Sequence, residues 1–318
     1  MRRASKGRQS PTQSKDEAAE IFVTLRDLIR YAVTRFNAAK LAYGHGTDNA
    51  LDEAAFLLAE ALHLPIDKLD PFLDARLTRA ERNRLLELIE ARIETRKPAA
   101  YLLRRAYVQG RSFYVDERVI VPRSFIGELL FNGLVGEEGP IKAGAVERVL
   151  DLCTGGGSLA ILAAEVFPNA RIDAVDLSPD ALAVAERNVE DYALTDRIAL
   201  HRGDLFAPLG KTRYDVILSN PPYVDWAAVT AFPPEYSAEP RLAHDGGRDG
   251  LAVIGRILAD ASKHLTSQGV LVCEVGRLRP AIERAFPALS PLWLDTENSE
   301  GEVLLLRASD FAGKSRSK

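Results

Sequence analysis

The chain has 318 residues, 47% hydrophobic and 27% charged, with 41 Lys and Arg against 45 Asp and Glu for a formal net charge of −4. That length suits one large domain or two moderate ones, and the acidic balance argues against a protein that grips bare nucleic acid by its phosphates. Two cysteines, Cys153 and Cys273, are too few for a disulfide framework and point to a reducing, cytoplasmic location; no apolar run reaches the roughly 18 residues of a membrane-spanning helix.

The chain opens "MRRASKGRQSPTQSK", which lacks the apolar core of a signal peptide. With Arg2, Arg3, Lys6, Arg8 and Lys15, residues 1–19 read as a basic disordered tail, at most a weak electrostatic contact to RNA or the ribosome. Helical periodicity then puts Phe22, Leu25, Leu28, Ile29, Ala32, Val33 and Phe36 on one face. "YGHGTDN" (43–49) breaks it, and a second helix runs through Leu51, Ala54, Leu58, Ala61 and Leu62 towards Pro65. Thr78 and Glu81 form a capping box ahead of a third helix carrying Leu85, Leu88, Ile89 and Ile93. Residues 20–105 thus read as a small helical domain.

"FYVDERVIVPRS" (113–124) predicts a two-stranded hairpin, then a helix through Ile126, Leu129 and Leu130, and "GEEGPIKAGA" (136–145) reads as a linker. Residues 106–145 are therefore a connecting segment. From Val146 to residue 308 apolar runs alternate with helical patterns: "VLDLC", "RIDAVD", "RIALHRGD", "YDVILSN", "GVLVCEV" and "EVLLLR". Ser178 as N-cap and Pro179 at the first helical position start one helix, and another covers about 249–265. The alternation predicts a doubly wound α/β sheet, with 309–318 as a C-terminal tail.

Three stretches carry chemistry. "DLCTGGGS" (151–158) puts Gly155 and Gly157 where a strand must turn into a helix, and Asp176 ends the next strand, where an acid can bond ribose hydroxyls. Together they predict an adenosine-containing cofactor, NAD or S-adenosylmethionine. Asp151 before the turn, suited to the cationic methionine end, and Asp204 with Leu205 in "GDLF", suited to the adenine amine and ring, favour the second. Alone, each has an ordinary reading: tight turn, capping acid, loop acid.

The third stretch is "NPPY" (220–223). Methyl transfer from a sulfonium is an in-line displacement, and a conjugated nitrogen is a poor nucleophile. A site that helps accepts both N–H hydrogens and holds the lone pair towards the methyl. The Asn220 side-chain oxygen and the Pro221 carbonyl provide two acceptors, Pro221 and Pro222 fix the backbone, and Tyr223 offers a flat face to the planar group. The motif does not separate a glutamine amide from an adenine; its ordinary reading is a strand-terminating turn.

The order "DLCTGGGS", "AVDLSPDALAVAERN", "GDLF", "NPPYVD", "EY…EP", "DGGRDGL" and "CEVG" resembles the protein-(glutamine-N5) methyltransferases, over about residues 20–308. The resemblance implies a Rossmann-like S-adenosylmethionine-dependent sheet of seven strands, the last antiparallel. It also implies an N-terminal helical domain and hairpin that read a protein substrate. It places S-adenosylmethionine on Asp151, Thr154, Gly155, Gly156, Gly157, Asp176, Asp204, Leu205 and Asn220, and the glutamine amide on Asn220, Pro221, Pro222 and Tyr223, with no metal. "YGHGTDNALDEA", and Ser124–Phe125 after the hairpin's "PR", look like the branch acting on large-subunit ribosomal protein L-three, free or in an assembling subunit. The release-factor branch has proline, acid and threonine after "PR". Gly156 stands where serine is usual, and Phe125 where proline is expected. Arg123 either contacts substrate or braces the linker; Glu235 and Glu239 either wall the glutamine pocket or are solvated. The rivals are a release-factor enzyme, a nucleic-acid adenine methyltransferase, which would need a base-flipping pocket and a basic surface, and a non-catalytic cofactor-binding module.

Overall fold

The computed structural model describes residues 15–297 and 299–315, so the first fourteen residues of the expected tail lie outside the described residues. Two compact units divide between Leu103 and Arg104.

The first unit is helical: α1 (Lys15–Ile21), α2 (Leu25–Ala38), α3 (Ala50–Ala61), α4 (Arg79–Thr95) and α5 (Ala99–Leu103). Helix α1 begins inside the stretch read as tail, with Ala18 and Ala19 buried. Capping boxes start α2 at Thr24/Asp27 and α4 at Thr78/Glu81, satisfying backbone donors that a first turn leaves unpaired. The apolar faces pack around Leu25, Leu28, Phe36, Leu57, Leu85 and Ile89. Beneath "YGHGTDN" lies a buried ion pair. Arg92 Nε donates to Glu53 Oε1 at 2.8 Å, and Arg92 Nη2 also reaches the Ala42 carbonyl at 3.0 Å. It ties the loop to α3 and α4.

The second unit opens with a hairpin, but not the one expected. Strands β1 (Ala106–Val108) and β2 (Arg111–Phe113) pair antiparallel across Gln109 and Gly110, both at positive φ, as a type I′ turn requires. Residues 114–124, expected as strands, pair with none; Val115, Val119 and Val121 are buried by packing instead. The unit continues through α6 (Phe125–Phe131), β3 (Arg148–Leu152), α7 (Ser158–Val166), β4 (Arg171–Asp176), α8 (Pro179–Asp191), β5 (Ile198–Arg202), β6 (Tyr214–Ser219), α9 (Trp226–Thr230), α10 (Ala252–His264), β7 (Leu265–Glu274), α11 (Arg279–Ala285), β8 (Leu292–Thr296) and β9 (Ser299–Arg307).

Seven strands form one sheet in the order β5-β4-β3-β6-β7-β9-β8. The first five run parallel, and β9 inserts antiparallel between β7 and β8. The sheet is mixed and Rossmann-like, as the resemblance implied; β8, in "LWLDT", had not been separated from its surroundings. Apolar layers cover both faces. Residues 308–315, expected as a tail after residue 308, form a 3-10 turn, and Phe311 is buried in the core. Among the described residues no helix is long and apolar enough to cross a membrane, and no His, Cys, Asp and Glu cluster could hold a metal.

Candidate active site

Strand order reverses about β3, and open α/β sheets bind ligands at the carboxyl ends beside such a reversal. There β3 leads into residues 153–157, β4 ends in Asp176, β5 leads to Gly203–Leu205, β6 stops one residue before Asn220, and β7 ends in Glu274. Register pairs Leu152 with both Val175 and Ser219, and Ser219 with Cys273. The glycine turn, Asp176, Asn220 and Glu274 are therefore neighbours although up to 121 positions separate them in sequence.

A cavity of about 390 Å³ opens at this edge, a size usual for small-molecule sites. Gly155, Asp176, Asp204, Leu205, Asn220 and Pro222 line it, facing Val119 and Ile120. A smaller pocket of about 50 Å³ is lined by Thr154, Gly155, Gly156, Asn220 and Pro122–Ser124. Asn220, Gly155 and Cys153 line both.

The turn is fixed from below. Gly155, at φ +54°, donates its N–H to Asp176 Oδ2 at 2.8 Å, while Asp176 Oδ1 accepts the Ser178 N–H at 2.9 Å. Burial raises the Asp176 pKa despite these bonds. Gly157, at φ +81°, is the N-cap of α7; a Cβ there would stand 3.2 Å from the Ala185 Cβ. Gly157 thus sets helix packing and does not line either cavity. At Gly156 a Cβ meets only ordinary contacts of 3.5 Å or more, so the usual serine would fit.

Asp151, expected to meet a cation directly, lies beneath the turn, fully buried. Its Oδ2 accepts from Thr154 Oγ1 at 2.5 Å and from the Ala160 N–H at 3.1 Å; Oδ1 has no partner. Burial pushes this carboxyl up to about 7. A buried acid with an orphaned oxygen is costly, and a cation above the turn relieves it. A cavity beside Asp176, together with that acid, fits the cationic and ribose-bearing S-adenosylmethionine. Asp204 is on the cavity wall, but its Oδ2 accepts from Arg256 Nη2 at 2.7 Å.

In NPPY, Asn220 Nδ2 donates to the Arg123 carbonyl at 3.1 Å, which turns Oδ1 away as a remaining acceptor. Pro221 is buried and Pro222 lines the larger cavity. Tyr223 differs from expectation, since its ring lines neither pocket. Its hydroxyl donates to Glu274 Oε1 at 3.1 Å, and glycines crowd the residue. A Cβ at Gly276 would stand 2.7 Å from Tyr223 Cε2, at Gly246 2.8 Å from its Cα, and at Gly250 2.5 Å from its carbonyl. Gly246 and Gly250 of "DGGRDGL" and Gly276 of "CEVG" are thus a cradle for Tyr223.

The methyltransferase small domain model matches residues 138–232. A ribosomal protein uL3 glutamine methyltransferase of Bradyrhizobium diazoefficiens is 58% identical, covering 98% of this chain and 100% of the relative. Proteins of the same name from Bordetella pertussis and from Neisseria meningitidis serogroup B are 56% and 50% identical, over 89% and 94% of this chain and 94% and 98% of theirs. The chain belongs to the uL3 glutamine methyltransferases. Solved structures it resembles include a methyltransferase from Pyrococcus furiosus, with 16% identity, a TM-score of 0.46, and coverage of 71% of this chain and 98% of that one.

Several residues of this glutamine methyltransferase that shape the site were not foreseen. Asn188 donates to the Gly156 and Tyr114 carbonyls at 2.8 and 3.1 Å and accepts the Tyr114 N–H at 2.8 Å, clamping residues 114–124 to the glycine turn. The signal was an amide at the buried spacing of Ala181, Val184 and Ala185. Glu274, buried and pushed up to about 7, accepts from Ser124 Oγ at 2.7 Å and from the Phe125 N–H at 3.0 Å. A proline at 125 could not give the second bond. Arg123 braces the chain by pairing with Glu239 at 2.8 Å; Glu235 and Glu239 are buried and line neither pocket. Cys153 lines both pockets, whereas Cys273 is fully buried.

Proposed function

We propose that this chain transfers a methyl group from S-adenosylmethionine to the side-chain amide nitrogen of a glutamine in ribosomal protein uL3. The observation that carries the reading is Asn220: its Nδ2 is engaged by the Arg123 carbonyl, so Oδ1 is left to accept, at a residue lining both pockets. The bound cofactor supplies a methyl activated on a sulfonium. Gly155, Asp176, Asp204 and Leu205 hold its adenosine part, while Thr154 and Gly156, with Asp151 beneath, hold its cationic end. Asn220 Oδ1 and the Pro221 carbonyl accept the two N–H hydrogens of the glutamine amide. Those hydrogens become more acidic as the nitrogen gains the methyl, so both acceptors bind the transition state more tightly than the substrate. Tyr223, cradled by glycines and tied to Glu274, stiffens the loop bearing the acceptors. No strong base is required, because the proton to be lost is acidic once positive charge reaches nitrogen.

The helical domain and residues 106–124 read the protein substrate in this proposal. The basic residues of the first fifteen positions add a weak RNA contact in an assembling subunit, in the cytoplasm. The test uses purified protein, labelled S-adenosylmethionine and extract from a strain lacking this protein, followed by peptide mass spectrometry. Label on a uL3 glutamine is expected. Label on a release factor would keep the chemistry and overturn the substrate; label on nucleic acid alone would overturn both.

A further inference from the structure

The Glu239 side chain is fully buried in the stretch after NPPY, yet it lies on neither pocket. Its Oε1 accepts the Val121 N–H at 2.9 Å and Arg123 Nη1 at 2.8 Å, and its Oε2 accepts Arg123 Nη2 at 2.9 Å. The same Arg123 Nη1 reaches back to the Val121 carbonyl at 3.0 Å, and His244 Nε2 stands 2.8 Å from Oε2. The carboxylate thus grips residues 121–123 by both main chain and side chain. That segment bonds NPPY through the Arg123 carbonyl, which accepts from Asn220 Nδ2 at 3.1 Å.

An asparagine amide has two orientations that fill nearly the same volume. In the observed one Nδ2 is engaged and Oδ1 faces outward. In the flipped one an NH₂ would face the substrate's own N–H groups, donor against donor. What selects between them is the Arg123 carbonyl, which Glu239 holds from the side of residues 121–123 while Glu274 holds Ser124 and Phe125 just beyond it. Resting on the proposed role of Asn220, we propose that Glu239 is a positioning residue for methyl transfer: its two-pronged pairing with Arg123 keeps the Arg123 carbonyl on the Asn220 amide and Oδ1 of Asn220 towards the substrate. The bidentate geometry matters. A lysine at 123 keeps the charge but loses the planar fork, and a glutamine at 239 turns an N–H₂ group towards the guanidinium.

The neighbouring Pro240, Leu242 and Ala243 wall the larger cavity, so a purely structural Glu239 would act on cofactor affinity. The two roles separate in the split between turnover and binding. Full-length Glu239→Gln, Arg123→Lys and Asn220→Ala are compared by kcat and KM for the methylated protein, by cofactor Kd in calorimetry, and by thermal unfolding. Glu239→Gln is expected to lower kcat by about tenfold or more, a loss in the range that small misplacements of a reacting group cause, with Kd and KM unchanged. Arg123→Lys should show the same split, and it carries the test if Glu239→Gln does not fold. Unchanged kcat in both, or a Kd that weakens in step with kcat, overturns the proposal. If Asn220→Ala itself keeps full kcat, the active-site reading falls and takes this inference with it. If only Asn220→Ala loses turnover, this inference alone falls.

Discussion

Replacing Gly276 by alanine places a methyl group 2.7 Å from Tyr223 Cε2 and 3.0 Å from Cδ2, at a residue whose φ is +53°. Two costs add. The left-handed backbone costs a non-glycine residue about 1–2 kcal/mol. Overpacking adds about 1–3 kcal/mol, because the ring must retreat by several tenths of an ångström. Retreat is blocked on the other sides: the Tyr223 hydroxyl is held by Glu274 at 3.1 Å, and Gly246 and Gly250 already lie against the Tyr223 main chain. The sum, about 2–5 kcal/mol, is a large part of the stability of an ordinary domain. Whatever is relieved by shifting Tyr223 is transferred to Pro221 and Asn220, where a displacement of about 1 Å can cost about a hundredfold in rate. Gly276→Ala should therefore lower both the urea midpoint and kcat. Gly255→Ala, in α10 and on neither pocket, serves as the control, since a Cβ there meets nothing closer than 3.6 Å. Parent-like turnover and midpoint in Gly276→Ala would refute the cradle, as would an equal loss in Gly255→Ala.

Asn220→Ala should reduce kcat by about a hundredfold or more, the scale of losing one aligned hydrogen-bonding partner, with cofactor Kd in calorimetry nearly unchanged; equal losses in both would refute its contact with the amide. Asp176→Ala should weaken cofactor binding and, by freeing the Gly155 and Ser178 N–H groups, lower stability by about 1–3 kcal/mol; an unaltered calorimetric affinity would contradict it. Glu274 stands at about 7 against an ordinary 4.5, raised by burial, so the folded chain holds its proton more tightly than the unfolded chain does. Stability should then fall as pH rises from 4.5 through about 7. Asp151 adds a fall of the same sign from 3.8 to about 7. Glu274→Gln should flatten that slope in urea unfolding without abolishing it, and a slope equal to the parent's would refute the buried, raised carboxyl.

What the sequence determined by itself is what short-range rules govern. Strand and helix periods, the capping box at Thr78, the Ser178–Pro179 helix start and the turn glycines Gly155 and Gly157 depend on neighbours a few positions away. The same holds for the placing of Asp176 and NPPY at strand ends, so the doubly wound sheet and the cofactor side were legible. The hairpin was misplaced because buried valines at 115, 119 and 121 give the alternation of a strand without a ladder. The "QG" that turns the real hairpin is only two residues long. Tertiary structure alone decided how the motif is held. Tyr223 meets Glu274 51 positions away, Arg123 meets Glu239 across 116, and Ser124 meets Glu274 across 150. A carboxylate in a sequence carries no mark of which distant donor it will face. That is settled only when packing removes water and every buried charge must find its partner.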